Sequence, residues 1–197
     1  FIPTHYRQTD RFVRYAAADS VSADVDGDGL MDVALGRLPV RTAQELAIAI
    51  SKTLVYQQAG HGGRLLLQAD RADPLQFDEQ LAAIANMLGT HWTATSLSLD
   101  DYPTGSQGTD TARLALSTAV DAGQAFTAYL GHSAPDRWTF SGLLSAQDVY
   151  AGFFSNIDRP TVLWSLGCYG TNFVQPNYDT IAHAMMLQNS GGAAAVL

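Results

Sequence analysis

The sequence predicts an α/β fold: a three-layer α/β/α sandwich around a mostly parallel central sheet. Short apolar runs typical of buried strands alternate along the chain with segments of helical periodicity. Parallel strands need crossover connections, and a helix between consecutive strands supplies one. We therefore expect helices on both faces of the sheet.

Length and charge restrict the class of protein further. With 197 residues, 47% of them hydrophobic, the chain has enough material for one core and one domain. Its net charge of −8 disfavours nucleic acid and anionic membranes as partners, because both need clustered lysine and arginine. No apolar run approaches the roughly 20 residues that span a bilayer, so we expect no membrane insertion.

The chain has neither an initiating methionine nor a signal peptide, and it stops inside an apolar run. We therefore expect residues 1–197 to be a single domain, truncated at both ends, of a longer secreted or cell-surface protein. The sequence does not indicate an oligomeric state.

An acidic loop, residues 24–32 (DVDGDGLMD), is the first candidate site. Alternate carboxylates on a glycine-bearing turn converge on one point, as a structural Ca²⁺ ion requires. Leu35 stands where an EF-hand has its bidentate glutamate, so the pattern favours a calcium loop on a strand connection. The expected ligands are the Leu30 carbonyl and the side chains of Asp24, Asp26, Asp28 and Asp32. The alternative is a solvated acidic turn.

A strand and a capped helix are expected after this loop. Val33–Val40 has the composition of a strand, and Thr42 with Glu45 forms a capping box. The helix after the box has an apolar stripe, predicted to face the core, that comprises Ala43, Leu46, Ala47, Ile50 and Leu54.

Two strand and helix pairs come next. Arg64–Ala69 predicts a buried strand that ends at Asp70, and Asp73-Pro74 predicts the start of a helix. His91–Leu99 alternates like a strand, and a helix is expected from about Asp110 to Ala122.

The remainder of the chain contains the two most informative strands. Ala125–His132 and the apolar run from Thr161 each break at a glycine, and these glycines are followed by His132 and Cys168. A short helix capped by Ser145 separates them. A helix over Tyr178–Leu187 and a final strand after Gly191-Gly192 complete the prediction.

Cys168 is the sole cysteine, so it forms no internal disulfide. A thiol becomes a nucleophile when a neighbour lowers its pKa or removes its proton. The carboxyl ends of parallel strands share one edge of a sheet, where open α/β folds place their chemistry, so His132 is expected beside Cys168. The alternatives are a buried, inert cysteine and a structural histidine.

With these elements placed, the chain resembles the catalytic domain of gingipain-type cysteine peptidases, of the caspase-like clan. The similarity covers most of the chain and rests on the order of several motifs. These are VxxGRLPV (Val33–Val40) after an acidic loop, Gly131-His132 followed by Trp138, Cys168 followed by Phe173, and Gly191–Val196.

The resemblance implies a caspase-like fold and a cysteine endopeptidase that acts on peptides or proteins. It implies Cys168 as the nucleophile and His132 as the proton donor, with the backbone amides of Ser133 and Cys168 as the oxyanion hole. It also implies an acidic residue that orients the histidine, for which Asp70 is the first candidate and Asp73 the second.

The sequence also departs from the family pattern. Ser133 replaces the usual glycine after the histidine, where its side chain could crowd a substrate or alter the oxyanion amide. A peptidase that prefers arginine or lysine in its substrate needs an acidic residue to bind that side chain. Asp78, Asp136 and Asp179 are all candidates here, and the sequence favours none of them.

Two alternative functions remain open. One is a catalytically inactive caspase-like domain that binds or scaffolds, and the other is a calcium-dependent adhesion module. Among the remaining aromatic side chains, His61, His91 and His183 are expected on the surface or on helices, and Trp138 and Trp164 in the core.

Overall fold

The computed structural model describes residues 4–9, 11, 14–175 and 177–197. The helices are α1 (Ser20–Ala23), α2 (Ala43–Gln58), α3 (Phe77–Met87), α4 (Ser106–Asp121), α5 (Ala146–Tyr150) and α6 (Ile181–Leu187), with a 3-10 turn at Leu99–Asp101. The strands are β1 (Tyr6–Gln8), β2 (Tyr15–Ala17), β3 (Arg64–Ala69), β4 (Thr93–Ser98), β5 (Phe126–Leu130), β6 (Ser133–Ala134), β7 (Arg137–Trp138), β8 (Leu144–Ser145), β9 (Thr161–Leu166) and β10 (Ala193–Val196).

Five strands form the central sheet in the order β10-β9-β5-β3-β4, and all neighbouring pairs are parallel. The predicted α/β fold with a parallel sheet is therefore confirmed. β1 and β2 form a separate antiparallel pair, and β6, β7 and β8 form a small antiparallel sheet.

One face of the central sheet is covered by α4, α5 and α6. Tyr129 on β5 and Leu163 on β9 are fully buried there against Leu116 of α4 and Met185 of α6. Trp138 stacks on the Tyr129 ring with a centroid distance of 4.3 Å, and its predicted place in the core is confirmed. These large side chains make this face the main core of the protein.

The opposite face is covered by α3. Leu65, Leu67 and Ala128 of the sheet pack there against Phe77 and Leu81 of the helix. Alternate residues of β3 thus point into two separate cores, which gives the three layers that the sequence predicted.

Trp164 lies outside both cores, and the prediction that it packs in the interior is wrong. It is 39% exposed on β9. The reason is the position of α3, which packs against β3, β4 and β5.

Helix α2 confirms the capping box but corrects the predicted stripe. Thr42 and Glu45 form both hydrogen bonds of the box. The predicted apolar stripe is exposed, and the buried positions are Ala49 and Lys52. Lys52 donates from Nζ to the carbonyls of Met185 at 2.7 Å and Gly191 at 2.6 Å, and burial lowers its pKa to about 7. Because two backbone carbonyls accept hydrogen bonds from the ammonium group, a lysine can be buried where α2 meets α6, and the leucines expected there are exposed instead.

Some predicted element boundaries are also wrong. Val33–Val40 is a largely exposed loop and pairs with no strand among the described residues. Helix α3 begins at Phe77, because the Asp73 carboxylate accepts the N–H of Leu75 at 2.8 Å in a local turn. Helix α4 begins at Ser106, and α6 begins at Ile181 after a capping box at Thr180.

Of the three histidines expected on the surface or on helices, His183 lies on α6 as expected but is buried, and His61 is buried outside the helices. His61 Nε2 lies 3.0 Å from the carbonyl of Pro160, and His183 Nδ1 lies 3.0 Å from Thr180 Oγ1. His91 is exposed. Hydrogen bonds to the backbone and a hydroxyl compensate the burial of the first two rings. Within the part of the chain that is described, no helix combines the length and hydropathy needed to cross a membrane.

Candidate active site

The carboxyl ends of β5 and β9 lie side by side. These strands pair in parallel register up to Leu130 and Leu166, and the N–H of Gly131 donates to the carbonyl of Leu166 at 3.3 Å. His132 and Cys168 are each the second residue beyond the last pair. We refer to Gly131–Ser133 and Gly167–Gly170 together as the strand-end site.

Two close contacts explain why glycines stand at the strand ends. A Cβ atom on Gly131 would lie 2.2 Å from Asp70 Cβ, and a Cβ atom on Gly167 would lie 2.4 Å from Ser133 Oγ. Both distances are shorter than non-bonded atoms tolerate. The glycines therefore allow β3, β5 and β9 to end at one tightly packed point.

The Cys168 thiol is free and the residue is exposed. The next residue, Tyr169, has a φ of 59°, in the left-handed region that side chains other than glycine rarely adopt. The chain thus turns sharply after the cysteine and leaves this residue at the surface.

A carboxylate and two aromatic rings hold the His132 imidazole. Its Nε2 lies 2.6 Å from Asp73 Oδ2, and no described residue forms a hydrogen bond with Nδ1. The ring contacts Phe77 edge-on at 5.5 Å and Phe140 at 4.9 Å, and Phe140 is 89% exposed. The hydrogen bond from His132 lowers the pKa of Asp73, so this carboxylate is ionised at neutral pH.

Asp70 and Tyr129 hold the backbone of His132. Asp70 Oδ2 accepts the His132 N–H at 3.0 Å, and the Tyr129 hydroxyl donates to the His132 carbonyl at 2.5 Å. Burial raises the pKa of both side chains. Asp70, expected to orient the imidazole, thus contacts the peptide group instead, and Asp73, the second candidate, contacts the ring. Both acids follow β3, but the loop after the strand directs Asp73 outward over the histidine.

The predicted oxyanion donors are both at the strand-end site. Ser133 pairs with Trp138 in the β6–β7 hairpin, next to the hydrogen bond from Thr139 N–H to the His132 carbonyl. The alternation of antiparallel ladders directs the Ser133 amide away from β7. The Cys168 amide donates to no acceptor within the described residues. The Ser133 side chain lies against the cysteine loop, since its Oγ donates to the Cys168 carbonyl at 2.7 Å.

The three acids considered for a basic substrate residue have different environments. Asp136 pairs with Arg137 at 2.9 Å, and Asp179 binds Arg41 at 2.8 Å and the Tyr150 hydroxyl at 2.6 Å. The arginine in each pair thus already compensates the negative charge of the carboxylate. Asp78 is exposed in the first turn of α3.

The acidic loop forms a second candidate site. Carboxylate oxygens of Asp24, Asp26 and Asp28 lie within 4.8 Å of one another. This spacing fits a shared Ca²⁺ ion, because each ligand oxygen lies about 2.4 Å from the metal. Asp32, a fourth predicted ligand, accepts the N–H of Val25 at 2.6 Å.

The fifth predicted ligand of this site is the carbonyl of Leu30, whose N–H donates to Asp28 Oδ1 at 2.8 Å. Arg7 lies nearby, with its guanidinium 3.4 Å from Asp24 Oδ2. A positive side chain thus already neutralises part of the charge in this loop.

Sequence reasoning missed Tyr129 and Phe140 as parts of the strand-end site. Tyr129 looks like any buried strand residue, and only its spacing of three residues from His132 hints at a contact with that backbone. Phe140 lies in a loop without a motif. The role of Ser133 as a hydrogen-bond donor was also not foreseen.

Comparison with known proteins agrees with this architecture. The complex of Porphyromonas gingivalis RgpB pro- and mature domains matches with a TM-score of 0.73 and 18% identity, over 92% of this chain and 44% of that one. The Arg-specific cysteine proteinase gingipain R (RgpB) matches with a TM-score of 0.70 and 20% identity, over 91% and 43%. The caspase-like fold predicted from the sequence is therefore confirmed. The chain spans less than half the length of these structures.

Sequence comparisons give two further results. No curated protein sequence is significantly similar to the chain. The model of peptidase family C25 matches residues 1–197. The chain therefore belongs to peptidase family C25, a family of cysteine peptidases.

Proposed function

We propose that this chain carries the nucleophile and the proton donor of a cysteine endopeptidase. The observation that carries the proposal is the register of β5 and β9, which brings Gly131-His132 and Gly167-Cys168 to neighbouring positions at one sheet edge. Family membership supports a cysteine peptidase in general terms. The assignment of the individual residues is our own.

In the proposed reaction His132 accepts the proton of the Cys168 thiol, and the resulting thiolate attacks the carbonyl carbon of a peptide bond. A C–S bond forms, and the carbonyl oxygen becomes an oxyanion within reach of the Ser133 and Cys168 amides. His132 donates a proton to the departing amine as the C–N bond breaks. Water then attacks the thioester, His132 accepts a proton from this water, and the thiolate leaves.

Asp73 is the residue that we propose to orient the imidazole. Its carboxylate accepts from Nε2 at 2.6 Å and so fixes the plane of the ring for proton transfer to the leaving amine. Nδ1 is then the nitrogen available to the thiol and the substrate. Asp70 acts through the backbone, because it fixes the His132 peptide group rather than the ring.

Alkylation of the thiol tests the proposal without knowledge of the substrate. Iodoacetamide should label Cys168 rapidly near pH 7, and His132→Ala should slow labelling at least tenfold because the proton acceptor is lost. His91→Ala is the matched control, since His91 is exposed away from the site. Slow labelling of the wild-type protein, or equal rates for His132→Ala and the wild type, would refute the assignment.

A peptide library with Cys168→Ala as control then tests cleavage itself. Cleavage that depends on Cys168 supports the endopeptidase. Rapid, His132-dependent labelling without cleavage of any peptide would favour the inactive binding domain instead.

We further propose that the acidic loop binds a structural Ca²⁺ ion. Asp24, Asp26 and Asp28 would supply carboxylate oxygens, and bound calcium would offset their mutual repulsion. Such a loop suits a secreted or cell-surface parent protein, because extracellular calcium modules bind in the range of about 10⁻⁴–10⁻³ M.

A further inference from the structure

We infer that Ser133 is a positioning residue, whose hydroxyl holds the cysteine loop in register with the histidine loop. The inference rests on the proposed function and adds a role for a side chain that the sequence suggested would obstruct the site. This hydroxyl connects the chain segments that follow β5 and β9, beyond the end of the sheet.

Backbone hydrogen bonds between the two strand ends stop at Gly131. Its N–H donates to the carbonyl of Leu166 at 3.3 Å, and within the described residues no later backbone bond joins Gly131–Ser133 to Gly167–Gly170. The next link is the hydrogen bond from Ser133 Oγ to the Cys168 carbonyl, at 2.7 Å. A side chain thus continues the ladder at the position of the nucleophile.

The two loops are not fixed equally. On the histidine side, Asp70 accepts the His132 N–H and Tyr129 donates to the His132 carbonyl, so both peptide groups that flank this residue are held. On the cysteine side, Cys168 and Tyr169 are exposed. The Ser133 hydroxyl therefore ties the exposed cysteine loop to the fixed backbone of the histidine loop.

The accepted carbonyl lies at a strained point of the backbone. It belongs to the peptide group between Cys168 and Tyr169, and Tyr169 has the left-handed φ of 59°. A hydrogen bond to this carbonyl restricts rotation about the Cα–C bond of Cys168 and favours the turn that leaves the thiol at the surface. Small displacements of a reacting atom have large kinetic effects, which makes this restriction relevant to catalysis.

Gly167 is matched to this serine. A Cβ atom at position 167 would lie 2.4 Å from Ser133 Oγ and 3.0 Å from the Gly131 carbonyl oxygen. The hydroxyl therefore occupies the space above Gly167 and points to the cysteine loop. Because the hydroxyl donates to the Cys168 carbonyl, the Ser133 side chain is directed toward the cysteine loop and does not need to project into the space that a substrate would occupy.

The experiment compares Ser133→Ala, Ser133→Thr and Ser155→Ala in the full chain. Ser155 is the matched control, because its hydroxyl donates to Asp121 at the same distance of 2.7 Å but away from the site. The readouts are the rate of Cys168 alkylation by iodoacetamide from pH 5 to 9 and the free energy of unfolding in urea.

We expect Ser133→Ala to slow alkylation about five- to tenfold near pH 7, which is the effect of one hydrogen bond. The midpoint of the plot of alkylation rate against pH should shift to higher pH. Its unfolding midpoint should fall no further than that of Ser155→Ala. Ser133→Thr retains the hydroxyl and should stay within about twofold of the wild-type rate.

Two results would overturn the inference while the proposed function stands. They are a wild-type rate for Ser133→Ala, and equal losses of rate for Ser133→Ala and Ser155→Ala. Failure of the proposed function has a different signature, because wild-type labelling would then be slow or insensitive to His132→Ala.

Discussion

The strand-end site and the acidic loop differ in how far apart in the chain their contacts originate. The hydrogen bonds that join the strand-end site across separate strands link residues 35 to 62 positions apart, from Ser133 to Cys168 and from His132 to Asp70. In the acidic loop, backbone N–H groups donate to aspartates two to seven positions away. The first geometry depends on the assembled sheet, whereas the second is largely local.

The two regions also differ in how deeply their carboxylates are buried. Asp70 is 5% exposed beneath the strand-end site, but Asp26 and Asp28 lie at the surface. A substitution at the strand-end site should therefore disturb the fold and the chemistry together. One in the acidic loop should change ion binding and leave the thiol unaffected.

The largest expected effect comes from glycine to alanine substitutions in the two regions. Gly131→Ala places a Cβ atom 2.2 Å from Asp70 Cβ, whereas Gly36→Ala, just after the acidic loop, meets no atom within 4 Å. We expect Gly131→Ala to lower the free energy of unfolding by about 1–3 kcal/mol and the alkylation rate of Cys168 by about 100-fold. Gly36→Ala should change neither quantity. Urea unfolding and iodoacetamide labelling measure both quantities, and equal behaviour of the two variants would contradict the proposed difference between the regions.

Calcium should act on the acidic loop alone. Saturation at 100 times the dissociation constant should stabilise the protein by about 2.7 kcal/mol, and EDTA should reverse this gain. Thermal unfolding with Ca²⁺ or EDTA measures the effect, with Asp26→Asn expected to abolish it and Asp110→Asn to leave it intact. The alkylation rate should stay within about twofold in either condition, because no strand-end hydrogen bond among the described residues involves the loop. An unfolding temperature independent of calcium would remove the metal proposal.

Asp73→Asn should reduce the alkylation rate about tenfold, because the ring of His132 loses its anionic partner. Asp78→Asn, on the exposed side of α3, serves as the control.

The pair between Asp73 and His132 also makes the folding stability depend on pH in a defined direction. Because the folded-state pKa of Asp73 is lowered from 3.8, its contribution to stability is present above that pH and disappears as the pH falls through the lowered value. Wild type and Asp73→Asn should thus differ in urea unfolding at pH 6 and converge in strong acid. A difference in the free energy of unfolding that does not change with pH would contradict the ion pair between Asp73 and His132.

The smallest expected effect is that of Arg7→Ala. The guanidinium lies 3.4 Å from Asp24 and is partly exposed, so the ion pair contributes at most about 1 kcal/mol. Without the competing cation, calcium should bind about two- to threefold more tightly. Calorimetric titration measures this change, and weaker calcium binding by Arg7→Ala would show that the arginine organises the loop instead of competing for it.

Local sequence patterns predicted the capped ends of helices and the alternation of strands. The boxes at Thr42 and Ser145 form as expected, because each depends on residues three positions apart. The same reasoning failed for Val33–Val40, whose strand-like composition has no partner strand in the described part of the chain. It also failed for the buried face of α2, where Lys52 is stabilised by carbonyls more than 130 positions away.

Local patterns in the sequence are enough to predict a parallel α/β fold in which Gly-His and Gly-Cys end two of the strands. Hydrophobic periodicity and glycine breaks are local signals, and parallel topology alone brings such ends to one edge. The assembled fold was needed to show which acid contacts the imidazole, where the Ser133 hydroxyl points, and which side of α2 is buried. These outcomes depend on the relative positions of distant loops, which are set by packing and register rather than by the residues within each segment.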